Sequence, residues 1–194
     1  FPNSSPIKSI GASSISPSPI TTFAFILILL NSFRIAFTAA SSAAILSFLP
    51  KNKDAPIAVY DSGDGALAVL ATLRRIFPQE RWLLVQDRAH APYGEKSAQQ
   101  VFQLGYQTME RIAMHGVKAC VVACHTSSSV ILPELQYRFS FPIIGMLLPS
   151  AAGLACYYPQ ATIACLATPG SIHQNRLLPL ARSLGFNGEW LAIA

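Results

Sequence analysis

From Ile57 onward, short apolar runs alternate with longer stretches in which apolar residues recur every three or four positions. The runs Ile57–Tyr60, Trp82–Gln86, Lys118–Ala123, Ile143–Leu148, Ala161–Ala167 and Trp190–Ala194 read as strands. Helical spacing covers Ala66–Phe77, stopped by Pro78, and Ser97–His115, with Ser97 placed as its N-cap and Gly116 placed to end it. It continues over Ser127–Arg138, interrupted by Pro133, and over Ser150–Tyr157 and Ile172–Leu184. Strand and helix alternate throughout, which predicts an α/β fold, a mostly parallel sheet with helices on both faces. No repeat of solenoid period is present.

The first fifty residues break this rhythm. They contain no Asp or Glu, carry charge only at Lys8 and Arg34, and crowd Ser and Pro into the first twenty positions. Their longest apolar run, Phe23–Leu30, falls well short of the roughly 20 residues that cross a bilayer. A Ser/Pro stretch separates Lys8 from that run, which suits a secretory signal poorly; a Ser-rich, acid-poor transit peptide fits better, although arginine is scarce. Residues 1–54 are therefore expected to form a leader outside the folded unit, rather than a membrane anchor.

Composition sharpens the picture in two places. Apolar residues make up 52% and charged residues 12% of the 194, as suits strands buried on both faces. The net charge of +5 is not gathered into a basic stripe interleaved with aromatics, which argues against nucleic-acid binding. Four cysteines are too few for a disulfide framework and read as free thiols of a reducing compartment, a cytoplasmic location.

In open α/β sheets ligands bind outside the carboxyl ends of the strands. Three polar loops leave those ends here: Asp61-Ser62-Gly63-Asp64-Gly65, the loop Asp87–Lys96 with Pro92-Tyr93-Gly94, and Cys124-His125-Thr126-Ser127. Parallel strands bring all three to one edge. Cys124, between a strand and a helix N-terminus, is placed where unpaired N–H groups and the helix dipole favour a thiolate, able to act as base or nucleophile. Cys120 and Cys165 fall within strands and read as core, Cys156 as helix packing; His90, His115 and His173 have no evident partner. A zinc site on Cys120 and Cys124 is disfavoured, because four strand residues span roughly 13 Å against bonds of about 2.3 Å. The glycines of the first loop match neither the dinucleotide nor the phosphate-loop fingerprint and suit a tight turn.

At these residues the sequence resembles glutamate racemase, which carries Asp-Ser-Gly after its first strand, Pro-Tyr-Gly after its second and Val-Val-Ala-Cys-Asn-Thr at its third. The counterparts are Asp61-Ser62-Gly63, Pro92-Tyr93-Gly94 and Val121-Val122-Ala123-Cys124-His125-Thr126, and the likeness runs from about Ile57 to Ser171. It implies two similar α/β domains, the first over residues 55–149 and the opening of a second over 150–194. It also implies a cofactor-free, two-base mechanism in which one cysteine takes the α-proton of glutamate and another returns a proton to the opposite face. Cys124 is then the first acid/base, with Asp61, Ser62, Tyr93, Gly94, His125 and Thr126 holding substrate or tuning the thiol. No metal is implied.

Several positions depart from the family pattern. His125 stands for Asn, Ala66 for a glycine, Leu148 for a glutamate, and Ala167-Thr168-Pro169-Gly170-Ser171 follows a Gly-Thr motif only loosely. The family's second cysteine, in Cys-Thr-His, has no counterpart before Ala194. The expectation is a glutamate racemase supplying D-glutamate for peptidoglycan, with a small-molecule substrate and room for a homodimer, and with little activity in this chain alone. The alternatives are a degenerate member that binds an amino acid or a protein without catalysis, and a racemase for aspartate or a related substrate.

Overall fold

The protein is described here over residues 54–194 of a computed structural model, so the expected leader lies outside the described residues. Strands β1 (Ile57–Asp61), β2 (Trp82–Gln86), β3 (Ala119–Val122) and β4 (Ile143–Gly145) form one sheet in the order β2-β1-β3-β4, every pair parallel. Helix α1 (Gly65–Ile76) connects β1 to β2, and α2 (Ala98–Met114) connects β2 to β3. Side chains alternate along each strand. Ala58, Tyr60, Cys120 and Val122 pack with Val101, Met109 and Ile112 of α2, whereas Val59 and Val121 pack with Ala66 and Leu73 of α1. Helices thus cover both faces, and that is why the strands read as unbroken apolar runs.

Helix α2 is held at its start by Ser97, whose hydroxyl accepts from the Gln100 amide while the Gln100 side chain accepts from the Ser97 amide. Gly116 follows at φ +62°, where a Cβ is disfavoured. The expected helix over 127–138 is instead α3 (His125–Val130) and α4 (Leu132–Leu135), parted at Ile131 just before Pro133. The expected strand over 143–148 ends at Gly145. There the Met146 amide donates to Ser128 Oγ, whose own hydroxyl donates to Val122 O, and the chain turns into α5 (Leu147–Tyr157).

A second sheet pairs β5 (Ile163–Leu166) with β6 (Trp190–Ile193) in parallel. The expected helix over 172–184 is two helices, α6 (Pro169–Gln174) and α7 (Leu177–Ser183), broken at Asn175 in the left-handed conformation (φ 43°, ψ 42°). Ala151 and Leu154 of α5, Ala181 of α7 and Phe186 form its core. Cys156, expected in packing, is exposed on α5. Among the described residues no helix is long and apolar enough to cross a membrane.

Candidate active site

The chain leaves β1 to one side for β2 and returns to the other side for β3, so the crevice between the carboxyl ends of β1 and β3 is the switch point of the sheet. The strand ends are tied together there: the Ala123 amide donates to Tyr60 O at 2.7 Å and the Asp87 amide to Asp61 O at 3.0 Å. Asp61 and Cys124 emerge on either side of this crevice.

Cys124 is the N-cap of α3 and is 6% exposed. Its sulfur accepts from the Ser127 amide at 3.4 Å and lies 3.5 Å from Ser62 Oγ. The Asp61 carboxylate accepts from the Gly63 amide at 3.3 Å and folds over the start of α1, where a Cβ added to Gly65 would meet Asp61 Oδ2 at 2.5 Å. The glycine expected to serve a turn thus also leaves room for a carboxylate.

Asp61, Cys124, His125 and Thr126 all line one cavity of about 450 Å³, within the size range of small-molecule sites. Its far wall comes from the second sheet. Thr168, the N-cap of α6, accepts from the Ser171 amide, and its hydroxyl lies 3.1 Å from that of Thr126; Ser171 Oγ is 3.5 Å from the same oxygen. Cys165, expected in the core, is buried in β5 but faces this cavity, and burial pushes its thiol up to about 11. His125 Nε2 is 3.4 Å from Ser150 Oγ of α5, and burial lowers the imidazole below its ordinary value of 6.5. Apolar side chains, among them Val69, Met146 and Leu166, complete the walls.

The other sequence candidates stand behind this wall. Ser62 touches the thiol but does not line the cavity. Tyr93 is buried, with its hydroxyl donating to Asp87 Oδ2 at 2.6 Å and accepting from Tyr60 at 3.1 Å; burial carries both phenols upward, Tyr60 to about 12. His90, for which the sequence suggested no partner, closes this chain, its Nδ1 2.8 Å from Asp87 Oδ1. A Cβ on Gly94 would sit 2.4 Å from Thr168 Cγ2, so this glycine lets the second loop dock on the cavity's far wall. Leu148 is 56% exposed and outside the lining. Sequence reasoning missed the hydroxyls of Thr168 and Ser171 as partners of Thr126; a Thr just before Pro-Gly is the signal that marks Thr168 as a helix cap. Among the described residues no cluster of three or more His, Cys, Asp or Glu is placed to hold a metal.

No family model matches the chain. It is 40% identical over 148 residues to the glutamate racemase of Deinococcus radiodurans, a match that covers 76% of this chain and 49% of the relative. Among solved structures, the glutamate racemase of Thermus thermophilus with β-chloro-D-alanine superposes with a TM-score of 0.62 at 35% identity, covering 73% of this chain and 53% of that one. The Francisella tularensis glutamate racemase in complex with D-glutamate gives 0.64 at 28% identity, covering 72% and 52%. The chain spans about half the length of the relatives it matches.

Proposed function

We propose, for a chain that belongs with the glutamate racemases over the half of their length it spans, that Cys124 is an acid/base moving the α-proton of glutamate. The observation that carries this reading is the Cys124 sulfur at the sheet's switch point, opening on a cavity that Asp61, His125 and Thr126 also line. In the reaction the thiolate takes the α-hydrogen, the electron pair passes into the substrate carboxylate as an enolate, and a proton returned to the opposite face completes inversion. Asp61 pairs with the substrate ammonium. Thr126 and the α3 amides receive a carboxylate, Ser62 fixes the thiol, and Tyr93 and Gly94 act as positioning residues behind the wall.

In this reading Cys124 serves one face of the substrate, so its thiol by itself gives exchange of the α-hydrogen with little inversion. Peptidoglycan supply through D-glutamate, cytoplasmic action without a cofactor, and assembly as a homodimer belong to the same proposal. So does the division of the chain into a leader over 1–54, a first domain over 55–149 and a second domain beginning at 150.

Proton NMR in D₂O tests the reading. Each enantiomer of glutamate is incubated with the protein, and loss of the α-hydrogen signal is followed beside circular dichroism for inversion. Exchange that disappears in Cys124→Ser supports Cys124 as the base. Equal exchange in that variant removes it from the mechanism.

A further inference from the structure

The cavity has a one-sided electrostatic character. Of its lining residues Asp61 carries a negative charge, Cys124 and Cys165 are thiols, and the rest are apolar, hydroxyl-bearing or imidazole; among the described residues no lysine or arginine reaches it. A carboxylate entering this space leaves water and meets a fixed carboxylate, an arrangement that costs free energy unless a cation shares the site. His125 is the single lining residue able to supply one. It sits at the first turn of α3 with Nε2 facing Ser150 Oγ of α5, and among the described residues no polar contact engages its Nδ1. A smaller space that His125 also lines is bounded by Ser129, Cys165, Ser171 and Asn175 among others, none of them charged at neutral pH.

We infer that His125 is the charged partner for a ligand carboxylate in this cavity, beside the neutral donors of Thr126 and the α3 amides, and that it gains a proton when an anionic ligand enters. Ser150 is its positioning residue, holding the ring by one nitrogen so that the other is free to donate. The inference rests on the cavity being the ligand site. It goes beyond the role of Cys124, because it states what charge the site selects and how that selection varies with pH. The titratable groups that share the cavity lining with the ring are Asp61 from β1, Cys124 from its own helix start, and Cys165 from β5. Burial opposes the imidazolium and lowers the ring's affinity for a proton. An anion beside Nδ1 reverses that balance, and linkage makes anion affinity rise as pH falls.

The test uses two reagents of nearly equal size that alkylate the same sulfur, anionic iodoacetate and neutral iodoacetamide, with the Cys124 adduct measured by peptide mass spectrometry from pH 8 to pH 5.5. The ratio of the two rates cancels the thiolate fraction. In the intact protein the ratio is expected to rise roughly threefold or more across this range. It should stay flat in His125→Asn, and its midpoint should move in Ser150→Ala. A flat ratio in the unsubstituted protein overturns the inference, as does an unchanged rise in a folded His125→Asn. Neither outcome depends on glutamate exchange, so loss of this inference and loss of the Cys124 mechanism are separable: a rising ratio with no exchange removes the second alone.

Discussion

Gly65 controls where the Asp61 carboxylate lies. A methyl group there would stand 2.5 Å from Asp61 Oδ2, and alanine is otherwise welcome in the first turn of a helix. Gly65→Ala is therefore expected to leave Tm almost unchanged while lowering α-hydrogen exchange by about ten- to a hundredfold, the scale of a misplaced binding group. Equal exchange rates in the two proteins would show that Asp61 does not orient the ligand. His125 sets a pH signature on stability. Its folded-state affinity for a proton is lowered, so below its ordinary value of 6.5 the unfolded chain binds the proton that the empty folded site refuses. Stability then rises with pH through that window and is flat above it. Thermal unfolding at a series of pH values should show Tm falling below about pH 6.5, and His125→Asn should remove that part of the fall. Asp61, Cys124, His125 and Thr126 were legible in the sequence because each lies at or just beyond the carboxyl end of a strand, and strand direction alone puts them on one edge. Thr168 and Cys165 were not, since both reach the cavity by packing of a second sheet that no local pattern encodes.

At the level of elements, local chemistry decided most boundaries that the sequence could reveal. Ser97 and Gly116 bracket α2 because the chain supplies a capping box at one end and a left-handed glycine at the other. Ser97→Ala should cost about 1 kcal/mol, read as a lower urea midpoint with an unchanged m-value. An unaltered midpoint would mean that α2 is fixed by its packing under β1 and β3 alone. The misjudged boundaries share a different cause. Leu147 and Leu148 continue an apolar run, and a run of that length looks the same whether it stays in a strand or opens a helix. What ends β4 is the approach of α3 and α4, where a Cβ on Gly145 would meet Leu132 Cδ2 of α4 at 2.7 Å and Ser128 Oγ of α3 at 3.0 Å. The break at Asn175 is similar: asparagine tolerates the left-handed conformation, but it also occurs inside helices, so the letter alone does not announce the turn.

Over the whole molecule, the cavity belongs to neither sheet by itself. One wall is the carboxyl edge of the four-stranded sheet, and the other is β5 with the start of α6, joined through the Thr126 and Thr168 hydroxyls. Two strands make little sheet of their own, so the second unit depends on α5, α7 and this contact for its stability and should open before the first. Gly188 offers a way to weaken it selectively. An added Cβ would stand 1.9 Å from Ala161 O, a backbone atom that cannot swing aside, and relieving the clash must shift the segments that lead into β5 and β6. Gly188→Ala is expected to cost about 2–3 kcal/mol, the scale of an overpacked interior. Hydrogen exchange should show that loss concentrated in β5 and β6, with β1 and β3 keeping their protection. Because Leu166, Ala167 and Thr168 wall the cavity, the same variant should alkylate faster at Cys124 although the substitution lies in the other sheet. Uniform loss of protection across both sheets would mean that they unfold as one cooperative unit. Faster alkylation would then report global opening, and the far wall would have no separate role in guarding the thiol.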